Sequence, residues 1–140
     1  MNKVLIPTKL SDVAANTLKT AGYEVIQDAD TPLDVQAASH PDTVALIVRS
    51  EKVTPEIMDS LPSLKLVIRA GAGYDNIDLD AATKHGICVM NTPGQNSNAV
   101  AELVFGMIIM MCRNQYNGKS GTELKDKTLG LYAFGQVGRN

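Results

Sequence analysis

Cysteine is scarce in this sequence. Only two of the 140 residues are cysteine, Cys88 and Cys112. Each lies in an apolar run without a CxxC or Cys/His cluster around it, so neither a metal site nor a disulfide is indicated. We expect both thiols to be free and buried.

An excess of basic residues is also lacking. The formal net charge is -2 at pH 7 and the sequence pI is about 5.6. Proteins that follow a nucleic-acid backbone carry clustered positive charge, so nucleic acid is not expected as a partner.

Long hydrophobic runs are missing as well. The longest apolar stretch, Leu103–Cys112, covers ten positions, whereas roughly 18 or more are needed to span a bilayer. The apolar part of the N-terminus, Val4–Ile6, is too short for a signal peptide. A cytoplasmic protein without membrane contact is therefore expected, and the hydrophobic content of 44% is sufficient for a real core.

The hydrophobic pattern up to residue 95 predicts alternating strands and helices. Short apolar runs indicate buried strands, and apolar residues at helical spacing, begun by Asp or Pro and ended by Gly or Pro, indicate helices between them. The strands are predicted at residues 4–6, 23–26, 43–48, 65–69 and 87–90, and the helices at 10–21, 33–39, 54–61 and 79–85. This succession predicts an α/β fold with a parallel sheet and helices on both faces.

The sequence changes character after residue 95. A long apolar helix is predicted over Ala99–Arg113, with Glu102 in its first turn, and a polar linker follows over 114–127. Because this helix is apolar nearly all round, it must be buried, and self-association through it is a hypothesis. Thr128–Ala133 is predicted to be a strand with open edges.

The last residues look like the opening of a dinucleotide-binding unit. The fingerprint Gly-x-Gly-x-x-Gly follows a strand: its second glycine admits the pyrophosphate and its third allows close packing of helix on strand. Gly135 and Gly138 occupy these two positions, and Ala133 stands at the first. Taken alone, such a glycine pair is a weak signal, because it is more often a packed turn.

Three upstream stretches strengthen this interpretation. They are residues 69–78 (RAGAGYDNID), residues 86–93 (GICVMNTP), and Asn96 followed by Val100–Glu102. In this order they resemble the D-isomer-specific 2-hydroxyacid dehydrogenases over essentially the whole chain. Val48–Ser50 is most similar to the D-3-phosphoglycerate dehydrogenase branch of that family.

The resemblance implies two domains with a substrate site between them. Residues 1–95 would form a flavodoxin-like substrate domain, and residues 96–140 an interdomain helix and the start of a truncated Rossmann domain, including its first strand. The site residues implied for a 2-hydroxy or 2-oxo acid, in this branch a phosphorylated one, are Arg49, Ser50, Arg69, Ala72, Gly73 and Asn96. Those implied for NAD are Val100, Gly135, Gln136, Val137 and Gly138.

The residue types suit these roles. Glycine neighbours give an anion access to consecutive amides at Ala72 and Gly73. Guanidinium groups at Arg49 and Arg69 suit a carboxylate or phosphate, and both follow predicted strands, where open α/β sheets bind ligands. Without the resemblance, the two arginines would be read as solvated loop residues, and Asn96 is equally compatible with a helix cap.

Four polar residues are assigned no ligand role. Asp75 and Asn76 are typical turn formers. His40 and His85 have no carboxylate or nucleophile partner at a recognisable spacing, so we expect both to be exposed.

The resemblance also implies what these 140 residues lack. Hydride transfer in the family uses a histidine, a carboxylate and an arginine from a later part of the nucleotide domain, so no catalytic residue is assigned here. We expect the N-terminal portion of an NAD-dependent oxidoreductase of serine biosynthesis, homo-oligomeric as a dimer when complete. This portion alone is expected to be inactive and to bind no dinucleotide measurably.

Two other functions stay open. One is a stand-alone flavodoxin-like binding or regulatory domain followed by an interaction helix, and the other is a truncated, non-catalytic paralogue that pairs with a complete subunit. A phospho-receiver domain is not favoured, because Pro7–Lys9 after the first strand contains no acidic residue.

Overall fold

The computed structural model describes residues 2–140, which divide into two compact units, one ending at Thr92 and the other formed by Pro93–Asn140. The strands of the first unit are β1 (Lys3–Ile6), β2 (Glu24–Gln27), β3 (Thr43–Val48), β4 (Leu66–Arg69) and β5 (Cys88–Asn91). Its helices are α1 (Asp12–Thr20), α2 (Leu33–Ser39), α3 (Pro55–Asp59) and α4 (Leu79–Lys84).

The sheet of the first unit is parallel throughout. Its strands pair in the order β2-β1-β3-β4-β5, which is the strand order of flavodoxin-like folds. The predicted α/β class and parallel sheet are therefore confirmed.

Helices cover both faces of this sheet, as predicted, but unequally. Leu5, Leu46 and Val67 point to the face packed by α2, α3 and α4. Val4 and Ile6 alternate with Leu5 and point to the opposite face, where Ala15 of α1 packs on them. The strands read as continuous apolar runs because both faces are occupied at the centre of the sheet.

Local signals in the sequence explain where the helices of the first unit begin and end. Ser11 caps α1 through its side chain, and Asp78 caps α4 by accepting a hydrogen bond from the N–H of Ala81 at 2.8 Å. Gly22 and Gly86 follow α1 and α4 with φ values of +86° and +66°, a conformation that glycine adopts without steric cost.

The second unit is built around α5 (Ser97–Cys112), followed by a short 3-10 helix at Asn114–Tyr116. α5 begins two residues before the predicted Ala99, so Glu102 lies in its second turn and not, as predicted, in the first. There the Glu102 carboxylate accepts a hydrogen bond from Asn98 Nδ2 at 2.8 Å. Only Ser97 and Ala101 of this apolar helix are buried.

The prediction of a strand at Thr128–Ala133, the first strand of a Rossmann domain, is wrong for this structure. These residues belong to no strand, and Ala133 has a φ of +87°, outside the β region. A strand is held by hydrogen bonds to a neighbour, and none of the strands among residues 2–140 pairs with this segment.

The prediction for the cysteines holds only in part. Both thiols are free, but Cys88 is exposed and Cys112 is half-buried, so the expectation of burial is wrong. Cys88 lies on the edge strand β5, beyond the cover that α1 gives to its face of the sheet. Within residues 2–140, no helix combines the length and apolar character needed to cross a membrane.

Candidate functional site

Polar residues gather where the strands of the first unit end. Because the sheet is parallel, the carboxyl ends of all its strands meet at one edge, which is where open α/β sheets bind ligands. Thr8 follows β1, Arg49 and Ser50 follow β3, and Arg69 ends β4 beside the glycine loop of residues 70–73. The structure therefore brings together every candidate substrate residue of the first unit.

The glycine loop leaves two consecutive amides without a hydrogen-bond acceptor among residues 2–140. Two hydrogen bonds fix its main chain. The N–H of Gly71 donates to the Arg69 carbonyl at 2.9 Å, and Asn91 Nδ2 donates to the Ala72 carbonyl at 2.7 Å. By contrast, the amides of Ala72 and Gly73 find no acceptor within residues 2–140. A loop that is anchored while two N–H groups stay available suits an anionic ligand.

The two arginines are held differently. Arg69 Nε donates to the carbonyl of Arg49 at 3.0 Å, so the half-buried Arg69 side chain links the ends of β3 and β4. Its guanidinium lies over Gly71, and a Cβ added at Gly71 would overlap it. The Arg49 side chain is exposed and forms no hydrogen bond or ion pair within residues 2–140. Gly71 thus leaves room for Arg69, and Arg49 presents its charge to solvent.

Sequence reasoning missed Glu51, which lies at this edge. Its carboxylate Oε2 accepts hydrogen bonds from the N–H of Arg49 at 2.7 Å and of Ser50 at 3.1 Å. Burial raises the pKa of Glu51, but the hydrogen bonds from Arg49, Ser50 and Thr8 outweigh burial and leave the pKa below its ordinary value. The amide of Ser50 is therefore taken by this carboxylate.

Asn76 joins two of the loops at the edge, consistent with its assignment as a turn residue. Its Nδ2 donates to the carbonyl of Glu51 at 2.7 Å, and its own carbonyl accepts from the N–H of Val53 at 2.9 Å. Val53 also forms a parallel bridge with Ile77. These contacts fix the loop after β3 against the loop after β4.

In the second unit, the candidate substrate residue Asn96 and the candidate cofactor residues lie at two places. Asn96 occupies the N-cap position of α5, but its side chain makes no capping hydrogen bond. Val100, in the first turns of α5, is half-buried. The turn of residues 135–140 contacts the start of the same helix, where Asn140 Nδ2 donates to Ser97 Oγ at 3.0 Å.

The glycines of that turn follow no strand and open no helix, as the dinucleotide fingerprint would have them do, but the space around the two glycines differs. A Cβ added at Gly135 would meet nothing within 4 Å, whereas one at Gly138 would lie 2.7 Å from the Ala133 carbonyl oxygen. Gly135 thus leaves the backbone open to a ligand, and Gly138 permits a close backbone contact. Ala133 departs from the fingerprint and carries the positive φ that a glycine would adopt without strain.

His85 has a carboxylate partner that the sequence spacing did not indicate. His85 Nε2 lies 2.8 Å from Asp59 Oδ1, and Nδ1 lies 2.8 Å from the Ala81 carbonyl oxygen. The Ala81 carbonyl and then the Asp59 carboxylate raise the pKa of His85. His85 is exposed, as predicted, whereas His40 is half-buried, so the prediction that it is exposed is wrong. Each follows a helix and precedes a strand, which puts both at the edge of the sheet opposite the glycine loop.

Comparison with known proteins identifies the family of this chain. The sequence model of "D-isomer specific 2-hydroxyacid dehydrogenase, catalytic domain" matches residues 4–133. D-3-phosphoglycerate dehydrogenase of Homo sapiens is 39% identical over 153 aligned residues, which cover 99% of this chain and 29% of that protein. Hydroxypyruvate reductase of Thermotoga maritima is 39% identical over 113 residues, or 71% of this chain and 37% of that protein.

A solved structure matches nearly the whole chain as well. The NAD⁺-bound 3-phosphoglycerate dehydrogenase of Entamoeba histolytica superposes with a TM-score of 0.84 at 39% identity, covering 99% of this chain and 48% of that one. The chain thus spans less than half the length of each of these relatives. Since the family model matches most of its residues, the chain belongs to the D-isomer specific 2-hydroxyacid dehydrogenase family.

Proposed function

We propose that this chain is the N-terminal part of an NAD-dependent oxidoreductase that acts on D-3-phosphoglycerate, in serine biosynthesis. The observation that carries the proposal is the pair of open amides at Ala72 and Gly73 beside Arg49 and Arg69, at the carboxyl edge of the sheet. The names of the relatives from Homo sapiens and Entamoeba histolytica support the same substrate.

The substrate is assigned by its two anionic groups. The amides of Ala72 and Gly73 would hold the carboxylate, because a carboxylate accepts hydrogen bonds from adjacent N–H groups. The guanidinium of Arg49, which is exposed, would meet the phosphate, with Arg69 and Ser50 beside it. A site with an anion receptor and two arginines favours a phosphorylated acid over an unphosphorylated one.

The second unit would contribute to the cofactor site. Gly135 would leave the backbone open to the pyrophosphate of NAD, and Gly138 permits a close backbone contact within the turn. Gln136 and Val137 lie between these glycines, and Asn96 and Val100 would lie near the nicotinamide and the substrate. Bound NAD would accept the hydride of the substrate, a step for which this chain supplies orientation only.

We further propose that these 140 residues do not catalyse the reaction alone. Proton transfer in such a reaction needs a group within hydrogen-bond reach of the substrate hydroxyl. His40 and His85, the two histidines of the chain, lie at the opposite edge of the sheet. An assay of the purified chain with D-3-phosphoglycerate and NAD should detect no NADH, and calorimetry should detect no micromolar binding of NAD.

The complete enzyme is proposed to be a cytoplasmic homo-oligomer, a dimer in the simplest case. Apolar side chains such as Leu103 and Met111 of α5 are 62% and 74% exposed, and a second copy would remove such surfaces from water. Light scattering of the chain should show self-association, and a clean monomer would contradict this part of the proposal.

The substrate assignment is tested by titration followed by NMR. D-3-phosphoglycerate should shift the amide signals of Ala72 and Gly73 and the side-chain signal of Arg49. D-glycerate, which lacks the phosphate, should shift only the amides. Arg49→Ala should weaken the binding of D-3-phosphoglycerate about tenfold. Lys52 is an exposed cation in the same loop, and Lys52→Ala should leave the binding unchanged. Absence of shifts in residues 69–76 at millimolar ligand would refute the assignment.

A further inference from the structure

The carboxylate of Glu51 occupies an anion receptor built by its own chain. The N–H groups of Arg49 and Ser50 converge on Oε2, at 2.7 and 3.1 Å. Consecutive amides that point to one oxygen are an anion-binding arrangement. Here the chain fills it with a resident negative charge next to the proposed phosphate site.

This contact completes the fixation of the Arg49 main chain. Its N–H donates to Glu51 and its carbonyl accepts from Arg69 Nε at 3.0 Å. The Arg49 guanidinium, in contrast, is exposed and unbonded within residues 2–140. A side chain that extends from a fixed main chain loses less conformational freedom when it binds a ligand.

Glu51 is itself well anchored. Its carbonyl accepts from Asn76 Nδ2 at 2.7 Å, and the hydroxyl of the buried Thr8 faces its carboxylate. Glu51 therefore connects the loops that follow β1, β3 and β4. Because the two amides direct their hydrogen atoms at the carboxylate, they offset the repulsion it would exert on a bound anion.

We propose that Glu51 is a positioning residue for substrate binding: its carboxylate fixes the main chain of Arg49 so that the Arg49 guanidinium meets the phosphate of D-3-phosphoglycerate. This inference rests on the proposed function and adds a residue to its site. Glu51 touches no substrate atom in this scheme and acts only through Arg49.

The test compares Glu51→Gln with Glu56→Gln, which makes the same change of charge on α3. Hydrogen exchange of the Arg49 and Ser50 amides reports on the carboxylate contact without any ligand. In Glu51→Gln we expect both amides to exchange about tenfold faster and D-3-phosphoglycerate to bind about tenfold more weakly. Glu56→Gln should change neither. Glu51→Asp, which keeps the charge and shortens the side chain, should give intermediate values for both.

A double-mutant cycle separates positioning from a general structural effect. In an Arg49→Ala background, Glu51→Gln should cause no further loss of affinity, since its effect passes through Arg49. A further loss there would overturn the proposal, as would unchanged exchange of the two amides in Glu51→Gln. If exchange responds as expected but the unmodified chain binds no D-3-phosphoglycerate, the proposed function has failed, and the positioning role falls with it.

Discussion

Two segments of this protein share one local pattern and have different structures. Leu66–Arg69 and Thr128–Ala133 are both short apolar segments that lead into a glycine-containing loop. The first is β4, paired on both sides, with Val67 fully buried. The second belongs to no strand, and its Leu131 and Tyr132 are exposed. An apolar run therefore becomes a strand only where neighbouring strands take up its hydrogen bonds.

The two units also differ in how much of their apolar surface is buried. The first buries continuous clusters of side chains on both faces of its sheet. In the second, most large apolar side chains are exposed, including Phe105 and Phe134. Burial of apolar area is the main stabilising contribution to folding, so the first unit has its own source of stability and the second has little.

The largest expected effect tests this difference with one type of substitution in each unit. Leu46→Ala should lower the free energy of unfolding by about 2–5 kcal/mol, because Leu46 is fully buried and its truncation leaves a cavity. Leu131→Ala should change it by less than about 0.5 kcal/mol, because Leu131 is 63% exposed. Urea denaturation of both variants measures the two values. Equal losses would mean that Leu131 is buried in solution.

Much of the first unit could be predicted because its signals are local. Capping residues, helix-ending glycines and apolar runs marked every strand and helix to within about two residues, and α2 matched in full. The sequence also indicated that Arg49 and Arg69 follow strands, and parallel pairing then put them at one edge. Whether these residues bind substrate is a separate question that the titrations above address.

The features that were missed depend on contacts between elements. The His85–Asp59 contact joins residues 26 positions apart, the residue after α4 and the last residue of α3. Cys88 is exposed because α1 covers only part of its sheet face, which no local pattern records. Glu51 is close in sequence to its partners, but its role depends on the turn that directs two amides at one carboxylate. Glutamate after arginine and serine is otherwise typical of a solvated loop.

The second largest effect concerns the turn at the end of the second unit. Gly138→Ala would place a Cβ 2.7 Å from the Ala133 carbonyl oxygen, which is backbone and cannot move aside cheaply. We expect it to destabilise the turn by about 1–3 kcal/mol. Gly135→Ala is the control, because a Cβ there meets nothing within 4 Å. Hydrogen exchange at Arg139 and Asn140 should accelerate in the first variant only, and equal behaviour would argue against the close contact.

A smaller effect of opposite sign is expected at Ala133. Its φ of +87° is unfavourable for alanine and accessible to glycine. Ala133→Gly should therefore stabilise the turn by about 1 kcal/mol, with slower exchange at Asn140. Gly130→Ala, at a position without positive φ and with open space around it, serves as a comparison. Faster exchange in Ala133→Gly would show that alanine is not strained at this position.

The smallest expected effect is a pH-dependent change in the stability of the first unit, caused by His85. The carbonyl of Ala81 and the carboxylate of Asp59 raise the pKa of His85 above the ordinary value of 6.5. A pKa raised in the folded state means that the stabilisation is fully present below 6.5 and is lost as the pH rises through the folded pKa. Urea midpoints measured from pH 5 to 8.5 should therefore fall slightly more in the unmodified chain than in Asp59→Asn, which removes the carboxylate. Because both side chains are exposed, salt should reduce the difference, and parallel curves at low salt would show that the contact between α3 and α4 does not form in solution.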